Sequence, residues 1–409
     1  MSLHYKLSKL ILFCFFIPMT VFSQETQEKP EHVIPRLNLG NEDGHIQLGG
    51  ALRFNYNYSN WNENSKKEGG EFGYDAFWLE ASGDYKSITF NAQYRIYAEN
   101  SGGGMLKQGW IGYKFNHKHE IQLGQNIIPF GPIPYNSNNW FFNITYYLGF
   151  EDNSDMGLKY MYTPDNWEFD LAFYKNSDIL DFHSDAGITG NHRYAYDVGG
   201  RNKEINKVNF RVVRHFGDEA VNHELGLSGQ VGGLYNLDTK KNGSHSAFGL
   251  HYILNYHRFN LKAQAITYNK SPKNAEMIAD PDHPGELMPN PQKGAGIVEM
   301  GAYGGLYNVA SKGDVYTATA AYTIPVNKGI LDAVTVYNDF GVLHKRNKAF
   351  KDSYQNVTGM MLTLGPVFTY IDYALGRNHS WLGSEFTNAF ADGGNHWGGR
   401  FNINIGYYF

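Results

Sequence analysis

The 409-residue chain holds one cysteine, Cys14, and beyond its N-terminus no apolar run near the roughly 18 residues a spanning helix needs. Charged residues are also scarce, 18 % of the chain against about a quarter in an average soluble domain. Cys14 lies in the first 23 residues, where Lys6 and Lys9 precede the apolar stretch from Leu10 to Val21. Val21-Phe22-Ser23 before Gln24 then fits cleavage of a secretory signal peptide, residues 1–23, too short to span. Its removal leaves no thiol, which excludes disulfides, thiolate catalysis and cysteine-ligated metals. Losing Lys6 and Lys9 also takes the formal charge from −5 to −7, which speaks against a nucleic-acid partner. The mean hydropathy of −0.47 excludes a bundle of spanning helices. It does not exclude a barrel, whose strands alternate lipid-facing and lumen-facing residues and average to polar.

Gly (46), Tyr (30) and Phe (27) are abundant, the turn formers and ring side chains of long antiparallel sheets. Residues 24–44 are polar, contain Pro30 and Pro35, and read as a short periplasmic lead-in with no room for a plug domain. From His45 the pattern has period two: Ile46, Leu48, Leu52, Phe54 and Tyr56 share one face, and Gln47, Arg53, Asn55 and Asn57 the other. It recurs to the last residue, where Phe401, Ile403, Ile405, Tyr407 and Phe409 oppose Arg400, Asn402, Asn404, Gly406 and Tyr408. Connections alternate as well, brief near 85–87, 116–118 and 163–166, long near 59–70, 126–154, 176–205, 269–312 and 377–396. The pattern predicts an all-β fold, a transmembrane antiparallel β-barrel of about 16 strands over 45–409 with its short turns periplasmic. Around 296–309, Ile297-Val298-Glu299-Met300 offers further strand material, strand boundaries are open over 296–312, and the alternation is blurred in 330–342.

A Lys or Arg facing lipid at mid-membrane costs roughly 2–4 kcal/mol. That assigns Arg53, Arg95, Arg211 and Lys262, together with Arg400, Glu80 and Asp372, to the lumen wall, and sends their apolar neighbours to lipid. These wall charges carry two readings, a transverse field that orients solutes or salt bridges that satisfy buried charge. Tyr56, Tyr58, Trp167, Tyr256 and Tyr407 fall near strand ends and suit interfacial girdles. Ile405, Tyr407 and Phe409, on one face of a chain ending in Phe, have the form of a signal read by barrel-assembly machinery.

Three stretches carry a family resemblance. They are Phe77-Trp78-Leu79-Glu80-Ala81-Ser82-Gly83, Leu106-Lys107-Gln108-Gly109-Trp110-Ile111-Gly112-Tyr113-Lys114, and Ile121-Gln122-Leu123-Gly124-Gln125-Asn126-Ile127-Ile128-Pro129-Phe130-Gly131. Over residues 72–175 the chain resembles the phosphate-selective porin O and P family, and Pro129-Phe130-Gly131 resembles that family's turn into an inward-folded third loop. The resemblance implies a sixteen-stranded trimeric channel for small anions, with residues 126–154 as constriction loop. It further implies arginines and lysines at the constriction, replacing the hydration of a selected phosphate. Here the sequence departs from the family: Asn126 to Ser154 holds no Lys or Arg, but does hold Glu151 and Asp152, with Asp155 beside it. The expectation is therefore weak anion preference with no tight phosphate site.

The constriction loop offers Pro129, Phe130, Gly131, Tyr135, Asn139, Trp140 and Asn143 as candidate site residues. Rings beside amides can stack sugars and bond their hydroxyls, or they can simply dock the loop on the inner wall. Asp280, Asp282 and Glu286 lack the spacing of a calcium hand, and His117 and His119 have no third ligand, so neither is read as a metal site. No Gly-x-Ser-x-Gly, Walker or His-Glu-x-x-His pattern occurs, and no cofactor is implied. The reading is a non-enzymatic porin of the bacterial outer membrane, embedded in the lipid bilayer. It passes small hydrophilic solutes or anions by diffusion and is assembled as a homotrimer. The alternatives are a channel specific for sugars or oligosaccharides, using the aromatic and Asn-rich loop, and an outer-membrane enzyme or structural barrel.

Overall fold

The computed structural model describes residues 34–178, 185–280 and 282–409, so the expected signal peptide and residues 24–33 of the lead-in lie outside the described residues. Sixteen antiparallel strands form one closed sheet. They are β1 Gly44–Ser59, β2 Glu71–Tyr85, β3 Ile88–Ile96, β4 Gly104–Asn116, β5 His119–Ile127, β6 Ser154–Tyr162, β7 Trp167–Asn176 and β8 Asn202–Gly217. There follow β9 Val221–Asn236, β10 Asn242–Tyr256, β11 Phe259–Ser271, β12 Lys312–Lys328, β13 Leu331–Lys345, β14 Ser353–Leu364, β15 Val367–Arg377 and β16 Trp397–Tyr408. The last strand closes on the first, from Ala51↔Tyr408 to Ser59↔Arg400. A short strand, Leu37–Asn41, pairs with the beginning of β1 on the edge that β16 leaves bare. Phe409 sits at that junction, its N–H donating to Gly50 O (3.0 Å) and its carbonyl accepting from Gly50 N (2.6 Å).

The two faces of the wall are inverted relative to a soluble sheet. Gln122 is 6 % exposed and its neighbour Leu123 is 65 % exposed. Asn209, Ser228, Asn402 and Asn404 are likewise buried, while Leu79, Ile111, Leu171 and Phe248 lie exposed outside. Polar-in and apolar-out is the stable arrangement against acyl chains, and a closed sheet leaves no unpaired edge in lipid. In β13 the alternation is blurred because interior positions Ala333, Tyr337 and Leu343 are apolar, whereas outward Asn338 bonds Asn356 (3.2 Å) and Thr358 (2.7 Å).

Tight turns such as 86–87, 117–118, 257–258 and 365–366 join strands at one end, and loops join them at the other. The residues around 296–309 form a hairpin, Ile297–Ala302 with Gly305–Ala310, that pairs with Asp197–Val198 in a separate small sheet and adds no wall strand. Its Val298, Met300, Tyr307 and Val309 pack with Ile144, Tyr147, Leu148 and Phe390 in the main buried cluster. The long loops therefore hold one another in place.

Candidate functional site

The loop 128–153 leaves β5 after Ile127, runs along the inner wall and returns into β6 at Ser154. Its entering turn bends at Gly131, whose φ of 66° is left-handed and favours glycine. There Gly131 N donates to Ser228 Oγ of β9 (3.0 Å), and Arg211 of β8 donates to its carbonyl (2.9 Å). Further along, Asn138 donates twice to Asp339 of β13 (2.6 and 2.8 Å), Asn139 Nδ2 joins the same carboxylate (2.6 Å), and Asn136 Nδ2 reaches Thr317 of β12 (2.8 Å). Trp140 N donates to Asp372 of β15 (3.0 Å), and Gln355 of β14 donates to Phe142 O (2.9 Å). Asn143 caps the one-turn helix Ile144–Tyr147, accepting from Ile144 N (2.7 Å). The amide nitrogens of Asn136, Asn138 and Asn139 are taken up in docking the loop, and the side-chain oxygens of Asn136 and Asn139 are buried beneath it. The rings divide: Phe130 packs tilted against Phe150 (5.3 Å) within the loop, while Tyr135, Trp140 and Phe142 border open space.

The acidic end of the loop faces inward upon itself. Glu151 accepts from Asn136 N (3.0 Å), Ser137 N (2.9 Å), Ser137 Oγ (2.6 Å) and Thr145 Oγ1 (2.6 Å). Burial pushes its carboxyl above the usual range, against those hydrogen bonds. Asp152 pairs with Lys107 of β4 (2.9 Å), and Asp155 pairs with Lys207 of β8. Asp155, Asp197 and Glu204 do approach one another, but Lys207 sits among them, also meeting Glu204 (2.8 Å), so the donor set suits an ion-pair network and not a metal.

The charged wall residues named from strand parity fall into two groups. Arg211 meets Glu168 (2.5 Å), Asp170 (3.5 Å) and Glu224 (3.2 Å), and Lys262 donates to the carbonyls of Tyr135 (2.9 Å) and Ser137 (3.3 Å). Asp372 is fully buried, accepting from Trp140 N and from Tyr337 OH (2.6 Å). Expected as pore-lining charges, Arg211 and Asp372 are instead covered by the loop, because docking it takes up their polar atoms. Glu80 accepts from Asn91 (3.2 Å) and Gln93 (2.9 Å), toward the tight-turn end of β2.

Arg53, Arg95 and Arg400 form the second group. A cavity of about 690 Å³ lies toward the long loops and one of about 480 Å³ toward the tight turns. Both are bordered by Arg53, Arg95, Trp140, Phe142 and Tyr194, so these five stand where the two cavities approach each other. Arg95 lies 4.4 Å from the ring centre of Trp78 and 4.7 Å from that of Tyr194. Its donors go to Gln93 (2.9 Å) and to the hydroxyls of Tyr97 and Tyr194 (3.4 Å each), and among the described residues it has no ion-pair partner. Arg53 pairs with Asp75 (2.8 Å) and lies over Trp78 (4.9 Å). Arg400, on the larger cavity, donates twice to Asn57 Oδ1 (3.0 and 2.8 Å) and lies near Trp140 (5.8 Å) and Phe141 (5.4 Å).

Sequence reasoning passes over Trp78, Asp75 and Tyr194. Trp78 does carry a signal, a tryptophan sharing the polar parity of Glu80. Asp75 sits at a β-bulge opposite the Arg53–Phe54 step, and Tyr194 lies in the long loop 177–201, so no period marks either.

A closed sixteen-stranded barrel whose lumen is narrowed by an inward loop is the build of a passive diffusion porin. The family model for phosphate-selective porin O and P matches residues 46–277, more than half of the chain, and the chain belongs to that family. Among solved structures it is similar to the outer membrane channel DcaP of Acinetobacter baumannii, with 11 % identity and TM-score 0.55 over 90 % of this chain and 99 % of that one. It is also similar to OmpF of Salmonella typhi in complex with daunomycin, with 13 % identity and TM-score 0.56 over 91 % of this chain and 100 % of that one. An anion-selective porin from Comamonas acidovorans is similar at 12 % identity and TM-score 0.52, over 90 % and 100 % of the respective chains. At these identities the likeness is one of fold. No curated protein sequence matches the chain.

Proposed function

We propose that this porin works in the bacterial outer membrane, long loops outward, passing small hydrophilic solutes with weak anion preference through the aperture of Arg53, Arg95, Trp140, Phe142 and Tyr194. The observation that carries the reading is Arg95, a guanidinium at the aperture with rings on two sides and no carboxylate partner among the described residues. Arg400 adds a second such charge, and Asp75 and Glu71 balance only part of the arginine charge around the larger cavity. The negative charge of the whole chain matters less, because charges beyond about 8 Å from the permeating ion are screened at physiological salt. Tight phosphate binding would need several free convergent cations; the loop has none of its own, Lys107 is tied to Asp152 and Arg53 to Asp75, which among the described residues leaves only Arg95 and Arg400.

Reversal potential in a potassium chloride gradient tests this: modest anion preference is the expected result. Cation preference, or conductance that saturates with phosphate in the low millimolar range, would overturn it. We also propose a homotrimer, on the family likeness, to be checked by cross-linking in detergent. Recognition of the Ile405, Tyr407 and Phe409 face by assembly machinery is a further proposal, supported by Phe409 at the barrel seam, stacked with Phe77 (6.5 Å). Phe409→Ala should lower the yield of heat-modifiable folded protein.

A further inference from the structure

The larger cavity offers rings as well as charge. Phe142 stacks on Tyr146 (4.1 Å), and Tyr146 meets Tyr196 edge-on (5.1 Å), which makes a continuous aromatic wall beside Arg95 and Arg400. A hydrated chloride or phosphate gains nothing from such a wall, since rings accept its water's place without offering it hydrogen bonds. The two guanidiniums bond only neutral acceptors, Gln93, Asn57 and tyrosine hydroxyls, which an anionic carboxylate would outcompete. The volume of about 690 Å³ falls within the usual range of small-molecule sites.

We propose that this cavity is a binding station for small aromatic carboxylates, Arg95 and Arg400 meeting the carboxylate while Phe142, held in place by the buried Tyr146 and Tyr196 behind it, stacks the ring. The inference rests on the reading of the barrel as an anion-preferring porin and names the solutes it holds back longest. The loop amides are engaged on the wall, so a sugar ring would find stacking but few partners for its hydroxyls.

The test uses purified full-length barrel in planar bilayers, with chloride current recorded while sodium benzoate is added on one side. Acetate, inorganic phosphate, glucuronate and neutral benzyl alcohol are compared under the same conditions. Benzoate should interrupt the current with half-effect at about 1–10 mM, on the order of tenfold below the other three anions, and benzyl alcohol should have no effect. In Arg95→Gln and in Phe142→Leu the half-effect concentration, read against each variant's own unblocked current, should rise about tenfold. Folding of each variant is checked by heat-modifiable mobility, and Arg400→Gln replaces Arg95→Gln if the latter does not fold. Equal potency of acetate, phosphate or glucuronate, or unchanged block in either variant, overturns the inference and leaves the porin reading standing. Absence of wild-type current overturns the porin reading itself, and a cation-selective reversal potential overturns the anion preference on which the inference rests.

Discussion

The two sides of this barrel carry the same residue types at the same strand parity and treat them in opposite ways. On β8 and β11, Arg211 and Lys262 lie against the inward loop, Arg211 among three carboxylates and Lys262 on two loop carbonyls. On β3 and β16, Arg95 and Arg400 meet rings and neutral oxygens and border open cavity. What separates the sides is the path of 128–153, which is hydrogen-bonded to β8, β9, β11, β12, β13, β14 and β15 and, among the described residues, takes up none of the donors of Arg53, Arg95 and Arg400, which border the cavities. A charge facing the lumen is therefore not yet a charge facing the solute. The loop decides which wall the solute meets.

Removing the cover should have the largest effect. Deletion of Pro134 to Asn143 takes away the contacts of Asn136, Asn138, Asn139 and Trp140 and bares Asp339 and Asp372 to the lumen. Single-channel conductance should rise on the order of twofold or more, because a wall of sixteen strands by itself leaves an aqueous channel, and the anion preference should be lost. Unchanged conductance in a folded variant would move the constriction to another loop, with 272–311 the next candidate.

Next in size is Arg211→Met, which takes the shared guanidinium from Glu168, Asp170 and Glu224, leaving the two glutamates, among the described residues, only His215 and His251, and removes the bond to Gly131 O. The expected loss is about 3 kcal/mol, the low end for a broken buried pair because Glu168 and Glu224 keep some water contact. It would appear as a lower temperature for conversion of the heat-modifiable band, with a reversal potential near wild type. A large shift in reversal potential without loss of heat resistance would instead place Arg211 with the open wall.

That contrast also marks how much was legible in the sequence. Period-two alternation is a direct print of lipid on one face and lumen on the other, so the inward parity of Arg53, Arg95 and Arg211 could be read from neighbours alone. The partition between covered and open wall could not. It depends on contacts such as Asn138 with Asp339 and Trp140 with Asp372, which join residues some 200 or more positions apart, 201 and 232, with no local pattern. Tyr194 and the Ile297–Ala302 hairpin belong to long loops whose order comes from packing on one another. The acidic run at the end of the constriction loop misled for the same reason, since Lys107 and Lys207 meet it from other strands.

Arg95→Gln examines the open side. The substitution removes the charge that no carboxylate balances, so reversal potential in a salt gradient should move toward zero. Heat resistance should fall by no more than about 1–2 kcal/mol, the worth of the stacking on Trp78 and Tyr194. The pairing of outcomes matters: Arg211→Met weakens the barrel and spares selectivity, and Arg95→Gln does the reverse. Identical phenotypes would mean that the two walls do not differ in the way their partners indicate.

The smallest effect belongs to Glu151, the acid at the centre of the loop's own clasp. In Glu151→Gln the retained carbonyl oxygen can accept from Asn136 N, Ser137 N and Ser137 Oγ, and the new amide can donate to Thr145 Oγ1, whose hydroxyl rotates to accept it. The net change should stay within about 1 kcal/mol, since a charge-assisted set of bonds is exchanged for a neutral one with no desolvation cost. Its signature is in the pH dependence. Burial raises the folded carboxyl above its unfolded value, so the contribution of protonated Glu151 is complete below the ordinary carboxylate range and is lost as pH rises through the folded value. Wild-type heat resistance should therefore decline relative to the Gln variant across that interval and run parallel to it elsewhere. A difference that stays flat with pH would mean that Glu151 is ionised throughout and that a cation, not the surrounding hydroxyls and amides, holds it in the loop.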